Sequence, residues 1–538
     1  MVMEADKFPR YHIGESTLPS LRQFFKFIDF YDTFNEHGFY HKNGAVFRLA
    51  QGQPDAYTDF LDALGPDGYA WNLVRSEFDD MLFRHAGACG ATILDETKIN
   101  EIQFEPSGSW MCQESATNAH SAKPVSATWV RKDGTSGAIK FDYLIDASGR
   151  QGILSTKYLK NRRFNDNFKN VANWSYWKSD NVYAPGTHME GSPYFEALDD
   201  GSGWAWFMPL HDGTRSVGIV QDQKIAVAQK RELGSTSTLN FYNHTLQKAP
   251  KTMDLLSGAE MVADVRSASD WSYTASTYHL PHARICGDAG SFIDPLFSSG
   301  IHLAVTGGLS AALTIATSLK GDHDERVAGE WHSKKTIESY TRFFLAVSSA
   351  TKQIRQQHEP IIQDMDEQGF QRAFDLFRPI IQGTVDATSN GTVTRTEISR
   401  ILEFCFKAFA YVPPAQKDAL FEKLKKLGVE SDTSGKELEV ELDEIQGKLT
   451  ADELRTLETL RSRRMIREDP FEMDSFTLDT IDGLGPNLLR GKLGLVKAEE
   501  PKIDRTHFYS PKFLDGKDPA IREGSVHLPT SKFNLASW

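Results

Sequence analysis

The sequence predicts an α/β protein in which a sheet-based unit interrupts a first, mixed unit and a helical region closes the chain. Three observations predict it. Helix-like and strand-like periodicities alternate through the first 155 residues, the pattern of an α/β architecture. Between 160 and 280 the chain is rich in Trp, Tyr and short apolar segments, as in a second sheet domain. Beyond 320 the spacing becomes mainly helical. At about 150 residues per domain such a length holds three or four folding units. The expected boundaries are 1–155 and 281–320 for the two parts of the first domain, 156–280 for the inserted sheet domain and 321–538 for the helical region.

The elements follow in order. Residues Ser16 to Phe30 open with a serine cap and a proline near the first turn, then place apolar residues at helical spacing. Arg75 to Ala91 is an amphipathic helix with Phe78, Met81, Leu82 and His85 on one face, and Gly87 and Gly90 mark its end. Ala127 to Val130 and Ala138 to Ile145 flank the turn Lys132-Asp133-Gly134 as a hairpin whose second strand runs into Asp146-Ala-Ser-Gly149. Ala283 to Cys286 is a strand leading to Gly287-Asp288, and Ile301 to Leu319 is a long helix. The polar segment Glu430 to Glu444 is an exposed linker between two helical blocks, and no internal repeat is visible.

Composition narrows the function classes. Hydrophobic residues at 40% and charged residues at 25% are ordinary for a globular protein, which excludes collagen-like and wholly disordered readings. The net charge of −13 repels phosphate backbones, so no nucleic-acid partner is expected. Cys89, Cys112, Cys286 and Cys405 are far apart and form no Cys-x-x-Cys pair, as suits a reducing compartment. The N-terminus lacks an apolar signal region, and the weakly polar Ile301–Leu319 run, with His302 and paired glycines, reads as a buried helix. A soluble, cytoplasmic protein without a membrane partner is expected.

The most informative segment is Arg284 to Ala304, RICGDAGSFIDPLFSSGIHLA. Glycine at a strand end allows close backbone approach, and an aspartate there accepts hydrogen bonds from sugar hydroxyls. The turn Pro295 to Gly300 starts the long helix, whose free N–H groups and dipole favour a negative charge. A capped buried helix after a tight turn is the plainer alternative.

The string GDAGSFIDPLFSSGIHLA resembles the flavin-contacting segment of flavin-dependent halogenases, especially fungal members that chlorinate phenolic polyketides. Further matches are EADKFPRYHIGES from Glu4, HKNGAVF from His41, RSEFDDMLFRHA from Arg75, DYLIDASG from Asp142 and GWAWFMPL from Gly203. The resemblance spans residues 4–320 strongly. It implies an FAD-binding, aromatic-monooxygenase-like fold of the glutathione-reductase and aromatic-hydroxylase type, with an inserted mixed-sheet substrate domain. It also implies FAD, supplied reduced by a separate flavin reductase, with O2 and chloride as co-substrates.

Residue by residue, the resemblance implies FAD contacts from Glu4, Arg10, Glu15, Arg75, Asp288 and Ile301, and chloride at Ser299 and Gly300. Trp204, Trp206 and Pro209 lie in the family's W-x-W-x-I-P signature, with Met208 in the Ile position; the two indoles, alternating on a strand, face one side and screen the flavin. Lys42 is the implied catalytic residue. It receives hypochlorous acid formed through a flavin C4a-hydroperoxide, either as a hydrogen-bonding ammonium or as an amine that carries chlorine. Phe297, in the substrate pocket, replaces a Glu that tryptophan-chlorinating relatives carry, and this favours a self-activating phenol over an indole. A flavin-dependent aromatic hydroxylase is the alternative chemistry.

One departure concerns the start. The resemblance places a G-x-G-x-x-G turn before Glu4, and the sequence has none. The expectation is either a start assigned too late or a shortened, inactive homologue, and in both cases weak FAD binding. Asp386 to Glu397 approximates a calcium loop, but Thr388 spoils its third position and it reads as a polar turn. His282, His302 and the other histidines show no ligand spacing, so no metal is expected.

Overall fold

A computed structural model describes residues 1–52, 55–61, 66–106, 122–234, 237–357, 414–427, 447–462 and 481–497. The polar linker and the calcium-like loop lie outside these residues.

Two short parallel ladders carry the cofactor-type motifs. Strand β1 (Val2–Met3) pairs with β6 (Ile93–Leu94), and β10 (Leu144–Asp146) pairs with β18 (Ala283–Ile285), which continues antiparallel to β17 (His279–Leu280). The ladders belong to separate sheets. The hairpin is present as β8 (Ala122–Arg131) and β9 (Ser136–Lys140), flanked by β7 (Thr97–Pro106). Its second strand stops at Lys140 and does not run on into Asp146. Residues 144–146 instead leave for the parallel partner β18, where the Asp146 carboxylate accepts the Ser148 and Leu154 N–H groups and so shapes the turn after the strand.

The main sheet has eight strands. Its path is β15 (Glu260–Met261), β11 (Arg162–Lys178), β14 (Thr214–Asp222), β13 (Gly203–Pro209), β12 (Tyr194–Ala197), β3 (Gly44–Arg48) and β4 (Ala56–Asp59), with β16 (Arg266–Ala275) also on β11. Strands β3 and β4 come from the first 155 residues, so the sheet draws on more than the 156–280 stretch. The reason is local: Gly44–Arg48 is almost wholly buried and pairs in parallel with β12. Two further strands, β2 (Tyr40–Lys42) and β5 (Ala70–Asn72), form a separate antiparallel pair.

Helix α1 covers Leu21–Phe27 rather than starting at Ser16, because residues 15–17 are extended and bond to 71–73 before Pro19 permits a helix. Helix α2 covers Tyr31–Glu36, and α3, Arg75–Ala88, has Phe78 and Phe83 buried. Around the sheet lie α4 (Gln223–Glu232), α5 (Thr238–Leu246) and α6 (Pro250–Leu255). The long apolar helix α7 (Gly300–Lys320) packs against α8 (Glu325–Arg355), and its buried face includes His302, Thr306, Leu309, Leu313 and Thr317. It is the one helix among the described residues long and apolar enough to cross a membrane, and half of that stretch is buried in the protein. The expected helical tail contains α9 (Pro414–Lys426) and α10 (Ala451–Ser462), but also a hairpin, β19 (Leu484–Asn487) and β20 (Gly494–Lys497). The hairpin docks through Trp331 Nε1 donating to Leu484 O and Leu495 N donating to Thr317 Oγ1.

Strand β18 is fastened to both long helices. The fully buried Arg284 donates to both oxygens of Glu325 at 2.7 and 3.2 Å and to Thr314 Oγ1 at 3.0 Å. His332, pushed down to about 3 by burial and so neutral, bridges Ser310 and the Ile285 carbonyl. Removing one partner strands a buried charge, which costs about 3–5 kcal/mol. Glu325→Ala is therefore expected to lose that much unfolding free energy in urea titrations; a loss under about 1 kcal/mol contradicts the clamp.

Candidate active site

The site is assembled around Lys42. This lysine ends β2 and is 1% exposed. Its Nζ donates to Ser16 Oγ at 2.8 Å, to Thr17 O at 3.0 Å and to Ser298 Oγ at 3.4 Å, and lies 5.3 Å from the centre of the Phe60 ring. Ser298 in turn donates to Ser16 Oγ at 2.8 Å. All these acceptors are neutral, and burial alone pushes Lys42 down to about 7. Strand β5 holds both sides of this nest: it pairs with β2 on one edge and bridges Ser16 to Asn72 on the other.

Ser298 adopts a left-handed conformation, φ 58°, at the end of a short helical turn over Pro295–Phe297. Asp294 shapes that turn. Its buried carboxylate accepts the Leu296 N–H, the Asn170 amide at 2.9 Å and the Trp204 indole N–H at 3.4 Å. Desolvation pushes it up to about 6. After Ser299, which is buried, α7 begins at Gly300, which is exposed. A Cβ placed on Gly300 would meet nothing within 4 Å, so the helix start faces open space.

Trp204 and Trp206 point to the same side of β13, as expected, with ring centres 5.8 Å apart. They share a buried cluster with Ile293, Leu296 and Phe297. Trp206 Nε1 donates to Ser216 Oγ at 3.1 Å. Opposite Trp206 sits Gly218, where a Cβ would come within 2.3 Å of the indole, so only glycine leaves room for it. Phe297 packs edge-on against Phe47 at 5.3 Å and is 5% exposed. The Pro209 carbonyl accepts the Asn72 amide, tying the end of β13 to β5.

The remaining expected residues fall in four places. Arg10 and Arg75 meet on Asp79, Arg10 at 2.8 Å and Arg75 forked onto both Asp79 oxygens, and Arg10 also reaches Glu4 at 3.3 Å. Asp288 is pushed up to about 6 by desolvation, against the charges of Arg150, Arg75 and Arg162. Glu15 is buried, accepts the Tyr176 hydroxyl at 2.6 Å, and leaves its Oε2 without a partner. Ile301 packs on the apolar cluster behind α7. Ser16, Thr17, Ser298, Asp294 and Asp79 are not among the residues that the sequence marks for the site. Ser298 and Asp294 lie inside the diagnostic string and Ser16 and Asp79 inside two of the shorter matches, but what Ser16 bonds to becomes visible only in the fold.

Acid-bearing loops at the C-terminal ends of parallel strands, an open helix start and an unpartnered carboxylate oxygen fit a dinucleotide with an anionic head. Fold and site together define an FAD-dependent oxidoreductase of the aromatic-monooxygenase type. Residues 58–344 match the family model described as tryptophan halogenase. The chain is 49% identical over 502 residues to the flavin-dependent halogenase ascD of Acremonium egyptiacum, covering 93% of this chain and 88% of that protein. It is 48% identical over 503 residues to the sulochrin halogenase gedL of Aspergillus terreus, with 93% and 89% covered. Among solved structures, that of CmlS, a flavin-dependent halogenase, superposes with a TM-score of 0.60 at 27% identity, covering 79% of this chain and 74% of that one. The chain belongs to the flavin-dependent halogenase family, whose members use reduced FAD, halide and O2.

Burial sets a pH-dependence at Glu15, whose carboxyl is pushed up to about 7 by desolvation while Ser216 and Tyr176 oppose the rise. A raised folded value means the folded state binds more protons than the unfolded one, so stability falls as pH rises from about 4.5 through 7. Glu15→Gln removes this slope. Relative to the variant, the wild type is expected to lose on the order of 3 kcal/mol between pH 4 and 8 in denaturant titrations; parallel profiles contradict it.

Proposed function

We propose that this halogenase chlorinates a phenolic aromatic and that Lys42 hands over the oxidised chlorine. The observation that carries the reading is a lysine 1% exposed, held by three neutral oxygens and pushed down to about 7, so that its free amine is abundant near neutral pH. When bound, reduced FAD with O2 and chloride supplies hypochlorous acid. Glu4, Arg10, Glu15, Arg75, Asp288 and Ile301 would hold that cofactor, with a flavin reductase supplying it. The amides of Ser299 and Gly300, at the positive end of α7, receive chloride.

Lys42 then reacts as an amine. Its nitrogen lone pair takes chlorine from hypochlorous acid, the O–Cl bond breaks, and water leaves with the amine proton, giving the N-chloro form. The ring attacks this chlorine, the N–Cl bond breaks, and the ring proton returns to nitrogen, so the lysine is regenerated. Trp204 and Trp206, on the strand that ends at Pro209, keep the ring away from the flavin. Phe297 offers an apolar wall and no base, which suits a phenol able to activate its own ortho and para positions. The similarity to a sulochrin halogenase supports an aromatic of that kind.

Lys42→Ala is expected to bind FAD and consume O2 yet yield no chlorinated product by mass spectrometry. Lys42→Arg fails too, since guanidinium stays protonated. In the wild type, chlorination rises with pH through about 7 as the amine forms. An active Arg variant, or a rate that falls over this range, favours a hydrogen-bonding ammonium and overturns the amine route. At Gly300 the backbone is unstrained and the space is open, so Gly300→Val acts by crowding the anion. The chloride concentration needed for half-maximal chlorination is expected to rise about tenfold or more, and an unchanged requirement moves the halide elsewhere.

A further inference from the structure

We propose that His37, Glu77 and His211 form a site for a divalent cation of the zinc class, outside the halogenation centre. No sequence spacing announces it, because the ligands come from three separate elements: the C-cap of α2, the first turn of α3, and the turn between β13 and β14. Both imidazole Nε2 atoms converge on the same carboxylate oxygen, Glu77 Oε2, at 2.6 Å from His37 and 3.2 Å from His211. All three ligand atoms lie within 4.8 Å of one another.

Two neutral imidazoles and a carboxylate are the donor set of many zinc sites, which keep a fourth position open to water. With metal–ligand distances of 2.0–2.1 Å, tetrahedral donors sit about 3.3 Å apart. The His211–Glu77 separation already has that value, and the shorter His37 contact needs to open by less than 1 Å. The side chains are 31%, 39% and 21% exposed, so they are free to make this adjustment and an ion can enter from solvent. Phe39 packs against both rings and limits their rotation. The Nδ1 of His211 is buried without a partner, leaving the Glu77 side as this ring's polar anchor.

The position gives such an ion a mechanical consequence. His211 lies two residues beyond Pro209 and Glu77 two residues beyond Arg75. A bound cation would therefore fasten the end of the tryptophan strand to the helix carrying the Asp79 ion-pair network.

The test is calorimetric titration of the full-length protein, freed of metal by chelator, with zinc chloride. One-to-one binding is expected, weakened about tenfold or more in His37→Ala and again in His211→Ala, and unchanged in the control His282→Ala. Zinc should also raise the melting temperature of the wild type and not of His37→Ala, whose circular dichroism before zinc should match the wild type. Magnesium, which prefers oxygen ligands, should produce neither effect. Absence of zinc binding, or equal affinity in the wild type and both cluster variants, overturns the proposal and leaves a hydrogen-bonded His–Glu–His bridge.

Discussion

The structure depends on a buried guanidinium. Arg284 stands on the strand that leads into the GDAG segment, and by clasping Glu325 and Thr314 it fixes that strand against α7 and α8 at once. Two charges taken out of water are costly, and the return comes from satisfying them completely. Glu325 also accepts the His282 N–H and the Tyr143 hydroxyl, so neither of its oxygens is idle. Because the chain between β18 and α7 is only residues 286–299, fixing both ends dictates where Asp294, Ser298 and the opening of α7 must lie.

Two buried ionisable groups have their pKa values moved in opposite directions. Lys42 and Glu15 are both desolvated, and each is driven toward neutrality, yet they are not paired. Ser16 stands between them in the chain and bonds to the lysine. A direct ion pair would have held the lysine protonated and quenched its lone pair. The hydroxyl and carbonyl neighbours instead hold the Lys42 nitrogen in place without adding a negative charge that would raise its pKa.

What was legible in the sequence was what is written contiguously. The Arg284–Ala304 string announced its strand, turn and helix, and the alternation of Trp204 and Trp206 announced a shared face. The contact between Ser16, Lys42 and Ser298 joins residues more than 250 positions apart, and no local pattern encodes it. Element limits failed where tertiary pairing overrode local signals. Ser16 looked like a helix cap but is held extended by β5, and residues 144–146 looked like the end of a hairpin but found a parallel partner. The membership of β3 in the large sheet was hidden for the same reason, since burial on both faces leaves no alternation to identify its neighbour.

The parallel pairing of β3 with β12 has a consequence for how such enzymes diverge. Lys42 is separated from β3 by Asn43 alone, β12 pairs with β13, and β13 bears the two indoles. Lys42, in the β2–β5 pair, is therefore tied through Asn43 to the strands that carry the two indoles, and backbone register, more than side-chain volume, sets the span between them. Phe47 lies on β3 itself, and Phe297 packs edge-on against it from the turn before α7. Divergence by replacing either of these buried rings therefore disturbs packing but leaves the position of Lys42, held by backbone pairing, in place.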